Sequence, residues 1–368
     1  MMKASGLILS PLSALYSAAV RTRLALYQKG ALRTHRITSP VISVGNITTG
    51  GTGKTPIVAW IARALARDGL RVCILTRGYG RDDAGERVVV SDGQHLSADA
   101  AKGGDEPRLL AERLQGIASV ISDANRVAAA EWAEENLKAD IFILDDGFQH
   151  VRIARDLDVV AIDSTRPWGG GRLLPRGRLR EPLNGLRRAD LLILTRAEQC
   201  QDIESLRKHA ERLSDGRPIL VARTSTSAVL SLALEPSGPA PNDPGRIAGS
   251  PVSQLTSGSV GAFCAVGNPD AFFDHLRNDG YVLAFTYSFG DHHRYTQNDI
   301  DLLGSEAARQ GAGALFTTAK DAVKLGSFRF DVPCYVLEIE LEFEDEEKLV
   351  SMLREAVERK RPSRAIGT

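Results

Sequence analysis

The sequence predicts an α/β protein with a doubly wound, mostly parallel sheet, a second, smaller α/β domain and an amino-terminal amphipathic helix. Short apolar, strand-like runs alternate with helical segments between residues 37 and 224. A glycine-rich loop separates the first of these strands from the first helix that follows it. The chain has 368 residues, of which 43% are hydrophobic and 25% charged, so it is long enough for two domains with their own cores.

The segment 1–36 is cationic and is predicted to contain an amphipathic helix. No acidic residue precedes Asp68, whereas six basic residues precede the glycine-rich loop. Ser10 as N-cap and Pro11 at the first helical position predict where the helix begins. The apolar run is too short to span a bilayer. Its apolar stripe with basic flanks fits a helix lying at an anionic membrane surface, and it fits a helix packed on its own domain equally well.

Residues 41–66 are arranged as strand, glycine loop and helix, which is the order of a phosphate-binding P-loop. Glycines let backbone N–H groups approach an anion, and the helix N-terminus adds partial positive charge. A lysine in this loop reaches the β- and γ-phosphates, and the next hydroxyl is a Mg²⁺ ligand. A threonine occupies the position of the first glycine in the G-x-x-x-x-G-K-[ST] pattern. The predicted nucleotide-binding residues are Thr48, Gly50, Gly51, Thr52, Gly53, Lys54 and Thr55.

A second strand, 141–145, ends in the acidic sequence Asp145-Asp146-Gly147-Phe148-Gln149-His150. A buried strand that ends in a carboxylate is typical of the Walker-B arrangement, in which the carboxylate holds Mg²⁺ between the phosphates. Asp145 is therefore the first candidate for a metal ligand. ATP and Mg²⁺ are the predicted cofactors.

Two further loops follow predicted strands and carry polar groups. Arg77-Gly78-Tyr79 is placed to contact a phosphate or base, although an ordinary surface turn has the same composition. Asp105 lies at a predicted helix start, where a carboxylate can simply cap the helix. These residues alone leave both alternatives open.

A Gly/Pro-rich loop within 169–188 carries six arginines and one glutamate. Such crowding of guanidinium groups is costly unless they share an anion. The loop is therefore predicted to bind a phosphorylated or acidic substrate. Over the whole chain the 46 lysine and arginine residues balance the 46 acidic residues, so binding to nucleic acid is not expected.

After a core at 37–224, the remaining chain is predicted to contain a linker at 225–254 and a second α/β domain at 255–368. The linker is rich in Ser, Pro, Gly and Ala and is expected to carry one strand near 229–234. Two of its predicted strands end in polar segments, 288–295 and 318–325. These segments either face one cleft or are ordinary loops. The four cysteines form no C-x-x-C pair and are expected to be buried thiols in a reducing cytoplasm.

Taken together in this order, the motifs resemble the tetraacyldisaccharide 4′-kinase family, the lipid A kinases of Gram-negative bacteria. The resemblance covers nearly the whole chain and includes the GGTGKTP loop, DDGFQH, LPRGRLREP, DHHRY and TAKDAVKL segments. It implies transfer of the ATP γ-phosphate to the 4′-hydroxyl of a disaccharide 1-phosphate lipid at the cytoplasmic face of the inner membrane.

The resemblance also implies roles for individual residues. Asp105 would take the proton from the attacking hydroxyl, assisted by a histidine that we expect to be His292 rather than His293. Lys54 would be the third catalytic residue. Thr55, Asp145 and Asp146 would hold Mg²⁺. The expected substrate or phosphate contacts are Arg77, Tyr79, Gln149, His150, Arg180 and Glu181.

Two other functions remain possible from the sequence alone. A membrane-associated P-loop NTPase switch would hydrolyse its nucleotide without an acceptor, whereas a kinase should hydrolyse ATP very slowly until the lipid is supplied. A soluble small-molecule kinase would keep its activity after residues up to Arg36 were deleted.

Overall fold

The structure is a computed structural model that describes residues 4–81, 83, 85–232, 246–247 and 258–360. The chain divides into two compact units. The first comprises Met1–Arg223 and Leu341–Thr368, and the second comprises Thr224–Glu340.

The first unit is a parallel sheet with helices packed on it. Its strands are β1 (Val41–Gly45), β2 (Val72–Thr76), β3 (Val88–Ser91), β4 (Ala118–Ser122), β5 (Ile141–Asp145), β6 (Leu157–Asp163), β7 (Leu191–Thr195) and the first part of β8 (Ile219–Leu232). The α-helices that precede β8 in the chain are α1 (Ala4–Gln28), α2 (Lys54–Arg67), α3 (Ala100–Gly103), α4 (Asp105–Arg113), α5 (Arg126–Asn136) and α6 (Ile203–Ser214).

The strand order in this unit is β8-β7-β6-β1-β5-β2-β4-β3. Every pairing is parallel except that of β3 with β4, and β1 lies at the centre between β5 and β6. All residues of β1, β2, β5 and β7 are buried, as expected for strands covered by helices on both faces. The predicted doubly wound, mostly parallel α/β class is confirmed. Parallel strands bring the loops after β1 and β5 to the same edge.

The second unit is a smaller α/β structure, as the sequence predicts. Its elements are β9 (Arg246–Ile247), β10 (Val260–Cys264), α7 (Pro269–Asn278), β11 (Leu283–Ser288), α8 (Gln297–Gln310), β12 (Leu315–Thr318), α9 (Ala319–Ala322) and β13 (Cys334–Phe343). The parallel strands follow the order β11-β10-β12-β13, and β9 pairs antiparallel with the second part of β8.

The last helix, α10 (Glu346–Lys360), belongs to the first unit, although the predicted second domain extended to residue 368. Leu349, Leu353 and Ala356 recur at helical spacing and share a buried cluster with Ile57 and Ile61 of α2. This apolar stripe shows that the helix must pack on something, but the sequence does not show on which sheet.

The predicted linker at 225–254 was expected to carry one strand near 229–234. The structure has a strand in this region, but it begins earlier, because β8 continues through residues 224–232 within the second unit. The parts of the linker at 233–245 and 248–254 lie outside the described residues.

Helix α1 begins at Ala4, so the prediction that Ser10 caps it and Pro11 opens it is wrong. Pro11 lies inside the helix, where its ring fixes a helical φ and removes a single backbone donor. Nowhere in the described chain does a helix combine the length and apolar character needed to cross a membrane.

Candidate active site

The glycine loop follows β1 and leads directly into α2. Gly50 and Gly53 have φ of 109° and 77°, which L-residues with side chains rarely adopt. Gly53 is the N-cap of α2 and has no side chain with which to cap it. The first N–H groups of the helix are therefore left for an anion.

Two contacts fix the shape of this loop from inside the first unit. Asn46 Nδ2 donates to Thr52 Oγ1 over 2.8 Å, and both side chains are buried. Thr48 is also buried and forms an isolated bridge with Leu179, so its backbone rather than its side chain shapes the loop. Asn46 was not among the predicted site residues. It directly follows the strand and precedes the glycine loop, which is the signal that could have identified it.

Lys54 connects the glycine loop to the acidic end of β5. Its Nζ lies 3.4 Å from Asp146 Oδ1, and Arg180 Nη1 lies 2.7 Å from Asp146 Oδ2. Asp146 has φ of 52°, a left-handed conformation that turns the chain immediately after Asp145. The structure thus brings Lys54, Asp145 and Asp146 together, as predicted from two separate motifs.

Asp145 is 3% exposed, and its Oδ1 has no hydrogen-bond partner within the part of the chain that the structure describes. Burial and the nearby Glu106 carboxylate raise the pKa of Asp145 to about 7, while the charge of Lys54 opposes this rise. A buried carboxylate oxygen in such a place needs a cation to remain charged.

Arg126 also belongs to this cluster, although it was not among the predicted site residues. It opens α5, is buried, and donates from Nη2 to the backbone carbonyl of Asp145 over 2.9 Å. Burial lowers the pKa of its guanidinium, and the charges of Asp145 and Asp146 oppose that change. A buried arginine at a helix start gives no distinctive sequence signal.

Asp105 is buried at the first position of α4, and the loop before that helix packs against the Arg77–Tyr79 loop. A Cβ on Gly104 would lie 3.0 Å from the carbonyl oxygen of Tyr79, which explains why glycine is present there. The carboxylate of the next residue, Glu106, raises the pKa of Asp145, so the start of α4 lies within electrostatic range of the acidic end of β5. Arg77 and Tyr79 are exposed, and Arg77 Nη1 donates to the Tyr79 hydroxyl over 2.9 Å.

The arginine-rich loop is joined to the glycine loop by backbone hydrogen bonds. Thr49 N donates to Arg178 O over 2.7 Å, and Arg180 N donates to Ile47 O over 2.8 Å. This pairing explains how Arg180 reaches Asp146.

Other predicted substrate contacts are engaged inside the protein. Glu181 is 1% exposed, accepts from Arg188 Nη1 over 2.7 Å, and accepts from Gln149 Nε2 over 2.8 Å. Gln149 Nε2 also donates to Asn46 O over 2.8 Å. Burial and surrounding arginines lower the pKa of His150 to about 3, so its imidazole is neutral. Glu181 therefore orients Gln149, and Gln149 holds the Asn46 carbonyl at the start of the glycine loop.

In the second unit, His292 lies in the loop after β11 and has φ of 60°. Lys320 Nζ lies 3.3 Å from Asp291 Oδ1 and 3.5 Å from His292 Nε2. Because an ammonium group can only donate, this contact favours an unprotonated Nε2. His293 instead faces Asp299, at 3.1 Å. The two neighbouring histidines therefore have different partners.

Comparisons with known proteins agree with these features. The family model of tetraacyldisaccharide-1-P 4′-kinase matches residues 5–358. The tetraacyldisaccharide 4′-kinase of Geobacter metallireducens is 42% identical over 319 residues, covering 87% of this chain and 88% of that protein. The same enzyme of Halothermothrix orenii is 38% identical over 343 residues, covering 91% and 88%.

A solved structure is also similar. The crystal structure of LpxK from Aquifex aeolicus in complex with ATP aligns with a TM-score of 0.72 and 31% sequence identity, covering 97% of this chain and 100% of that one. On this evidence the chain belongs to the tetraacyldisaccharide-1-P 4′-kinase family.

Proposed function

We propose that this protein transfers the γ-phosphate of ATP to the 4′-hydroxyl of tetraacyldisaccharide 1-phosphate in lipid A biosynthesis. Family membership supports this activity, and the observation that carries the mechanism is the position of Lys54. This lysine leaves the glycine loop and reaches the Asp145–Asp146 strand end, so phosphate-binding and acidic groups converge on one point. Phosphoryl transfer depends on such positioning and on charge neutralisation.

The residues present fit a Mg²⁺ ion. Asp145 offers a buried carboxylate oxygen that has no hydrogen-bond partner within the described chain, and Thr55 is the second residue of α2. The described residues contain no group of three or more His, Cys, Asp or Glu side chains gathered for a metal. Mg²⁺ bound to nucleotide needs only one or two carboxylates, because phosphates and water complete its coordination. Asp145 and Thr55, with Asp146, would hold the ion, which would neutralise charge on the phosphates.

Asp105 is the proposed proton acceptor. The 4′-oxygen attacks the γ-phosphorus, the bond from that phosphorus to the β–γ bridging oxygen breaks, and ADP leaves. The proton of the hydroxyl passes to Asp105. Lys54 neutralises charge on the phosphates, whereas Arg77, Tyr79 and Arg180 contact the substrate or its phosphates.

Helix α1 is proposed to hold the enzyme at the cytoplasmic face of the inner membrane. It packs directly on the arginine-rich loop, where Ser13 Oγ donates to Leu173 O over 2.9 Å and the Tyr16 hydroxyl donates to Arg180 O over 2.8 Å. Leu12 and Leu15 are 50% and 69% exposed on the same helix. An apolar surface beside the substrate loop suits an acceptor whose acyl chains stay in the bilayer.

The test is incubation of the purified protein with labelled ATP and the disaccharide 1-phosphate lipid in detergent, followed by analysis of the lipid product. We expect a labelled bisphosphorylated lipid from the wild type and almost none from Asp105→Asn or Asp145→Asn, both with unchanged thermal unfolding. Wild-type turnover in either variant would refute its assigned role. Rapid phosphate release without lipid would instead indicate an NTPase switch.

A further inference from the structure

The glycine loop is held from outside by two consecutive side chains at the carboxyl end of β7. Thr195 Oγ1 lies 3.0 Å from Thr52 O and 3.2 Å from Ile162 O, so its one hydroxyl proton is shared between these two carbonyls, and Arg196 Nη1 donates to Gly51 O over 2.8 Å. Thus two adjacent side chains bind two adjacent carbonyls of the loop. Neither Thr195 nor Arg196 belongs to the groups assigned above to ATP, metal or acceptor.

The direction of these carbonyls fixes the direction of two N–H groups. In a planar trans peptide, the C=O of one residue and the N–H of the next point to opposite sides. Because the carbonyls of Gly51 and Thr52 point toward β7, the N–H groups of Thr52 and Gly53 point away from it. We propose that Thr195 and Arg196 are positioning residues that turn these two N–H groups toward the phosphates of ATP.

The anchor of Arg196 is itself firmly fixed. Its backbone adopts the left-handed conformation, with φ 56° and ψ 41°, which is unfavourable for a residue with a side chain. The same Nη1 lies 2.5 Å from Asp163 Oδ2, and Asp163 is buried at the end of β6. A strained backbone and a buried counter-charge aim the guanidinium at the loop carbonyl.

The Thr195 side chain also faces Gly53. A Cβ added to Gly53 would lie 3.4 Å from Thr195 Cβ and Cγ2, an ordinary van der Waals distance, so this part of the loop lies beside the carboxyl end of β7. Ser164 N donates to Thr195 O over 3.0 Å and ties β6 to this strand end. The loop is therefore supported by two neighbouring strands.

This inference rests on the proposed phosphate-binding role of residues 50–55, and it does not depend on the proton acceptor or the metal. Its test measures the affinity of the full-length protein for ATP and for inorganic tripolyphosphate, which has no nucleoside. The variants are Arg196→Ala, Arg196→Lys, Thr195→Val and Thr195→Ser. Arg212→Ala serves as a control, because Arg212 is an exposed residue that donates to a carbonyl of its own helix.

We expect Arg196→Ala and Thr195→Val each to weaken both ligands by roughly tenfold, the effect of losing about one hydrogen bond. The KM for ATP should rise while the KM for the lipid stays constant, a split that general loss of structure would not produce. Thr195→Ser should behave as wild type, Arg196→Lys should be intermediate, and Arg212→Ala should show no change. The graded variants keep the test decisive if a truncated one fails to fold.

Two results would overturn the inference. Weaker binding of ATP with unchanged binding of tripolyphosphate would make Arg196 a nucleoside contact. Unchanged binding of both ligands would show that the contacts are not needed. Lys54→Ala tests the phosphate-binding role of residues 50–55 separately. If this variant keeps full affinity for tripolyphosphate, that role is wrong. If Lys54→Ala loses the affinity while the Thr195 and Arg196 variants keep it, only the positioning role of Thr195 and Arg196 is wrong.

Discussion

Lys54 Nζ and Asp146 Oδ1 are 3.4 Å apart, and this ion pair joins the glycine loop to the strand that carries the acidic residues. Burial by itself would raise the pKa of Asp146, but Lys54 and Arg180 outweigh burial and hold that pKa well below its usual range. The carboxylate therefore stays ionised between two cations. An incoming phosphate is negatively charged, as the Asp146 carboxylate is. It can therefore replace Asp146 as the ion-pair partner of Lys54, and the lysine stays paired.

Asp146→Asn should lower the free energy of unfolding in the absence of nucleotide by roughly 2–4 kcal/mol, because it leaves two largely buried cations without their counter-charge. ATP should restore part of this loss, since its phosphates supply negative charge to Lys54. Measured without Mg²⁺, so that only the charge of the phosphates acts, thermal unfolding with and without ATP should show a larger ATP-induced increase in Tm for Asp146→Asn than for the wild type.

The control for that measurement is Asp140→Asn. Asp140 pairs with Arg71, whose side chain is 62% exposed, and an exposed pair of this kind contributes about 0–1 kcal/mol. Its ATP-induced increase in Tm should equal that of the wild type. An Asp146→Asn protein as stable as the wild type in the absence of ATP would contradict the proposed balance of charges.

Glu181→Ala should destabilise the folded protein by roughly 3 kcal/mol or more, because it leaves the Arg188 guanidinium without its carboxylate and removes one of the two acceptors of the Gln149 amide. Glu181→Gln, which keeps the shape of the side chain, should cost less. Chemical denaturation measures both effects. If Glu181→Ala instead unfolds like the wild type and raises only the KM for the lipid, the carboxylate contacts substrate and does not support the loop.

Replacing Leu12 and Leu15 together by Asp should weaken binding to vesicles containing anionic lipid by roughly tenfold or more, because two exposed apolar side chains would no longer enter the interface. Co-sedimentation of the full-length protein with the vesicles measures this. Leu302→Asp is the matched control, since Leu302 is an apolar residue on α8 that is 48% exposed. Equal binding by the double variant and the control would argue against membrane contact through α1.

Under native conditions, a thiol reagent should modify one cysteine of the described chain much faster than the others. Cys73, Cys264 and Cys334 are buried, whereas Cys200 is half-buried. Burial raises the pKa of Cys73 to about 12 and also raises the pKa of Cys264 and Cys334, which suppresses their thiolate forms. Cys200→Ser should remove the fast phase of modification, and a fast phase that persists in this variant would contradict the burial of the other three.

Features that depend on local sequence could be predicted. The run from β1 through the glycines to α2 is specified by β-branched residues, by positions that need positive φ and by a helix-forming segment, all within about 25 residues. The acidic end of β5 is also specified locally, by four apolar residues followed by two aspartates. Because parallel strands end at one edge of the sheet, two such local patterns were enough to predict that Lys54 lies close to the acidic end of β5, where it contacts Asp146.

Other features could not be predicted, because they depend on which surfaces meet. The stripe of α10 could cover either sheet, and the structure packs it beside α2 in the first unit. Glu181 was expected to face substrate, yet its side chain is buried against Arg188. A charged residue in a loop has the same sequence pattern whether it faces solvent or an internal partner.

By itself, the sequence determined the α/β class, the glycine loop and the acidic strand end, since these depend on backbone propensities and periodicity over a few residues. Only the tertiary structure decided that Asp146 lies between Lys54 and Arg180, that Arg126 reaches the carbonyl of Asp145, and that β7 holds the loop carbonyls. These contacts join residues far apart in the chain. Their existence depends on side-chain direction and packing, which periodicity and propensity do not encode.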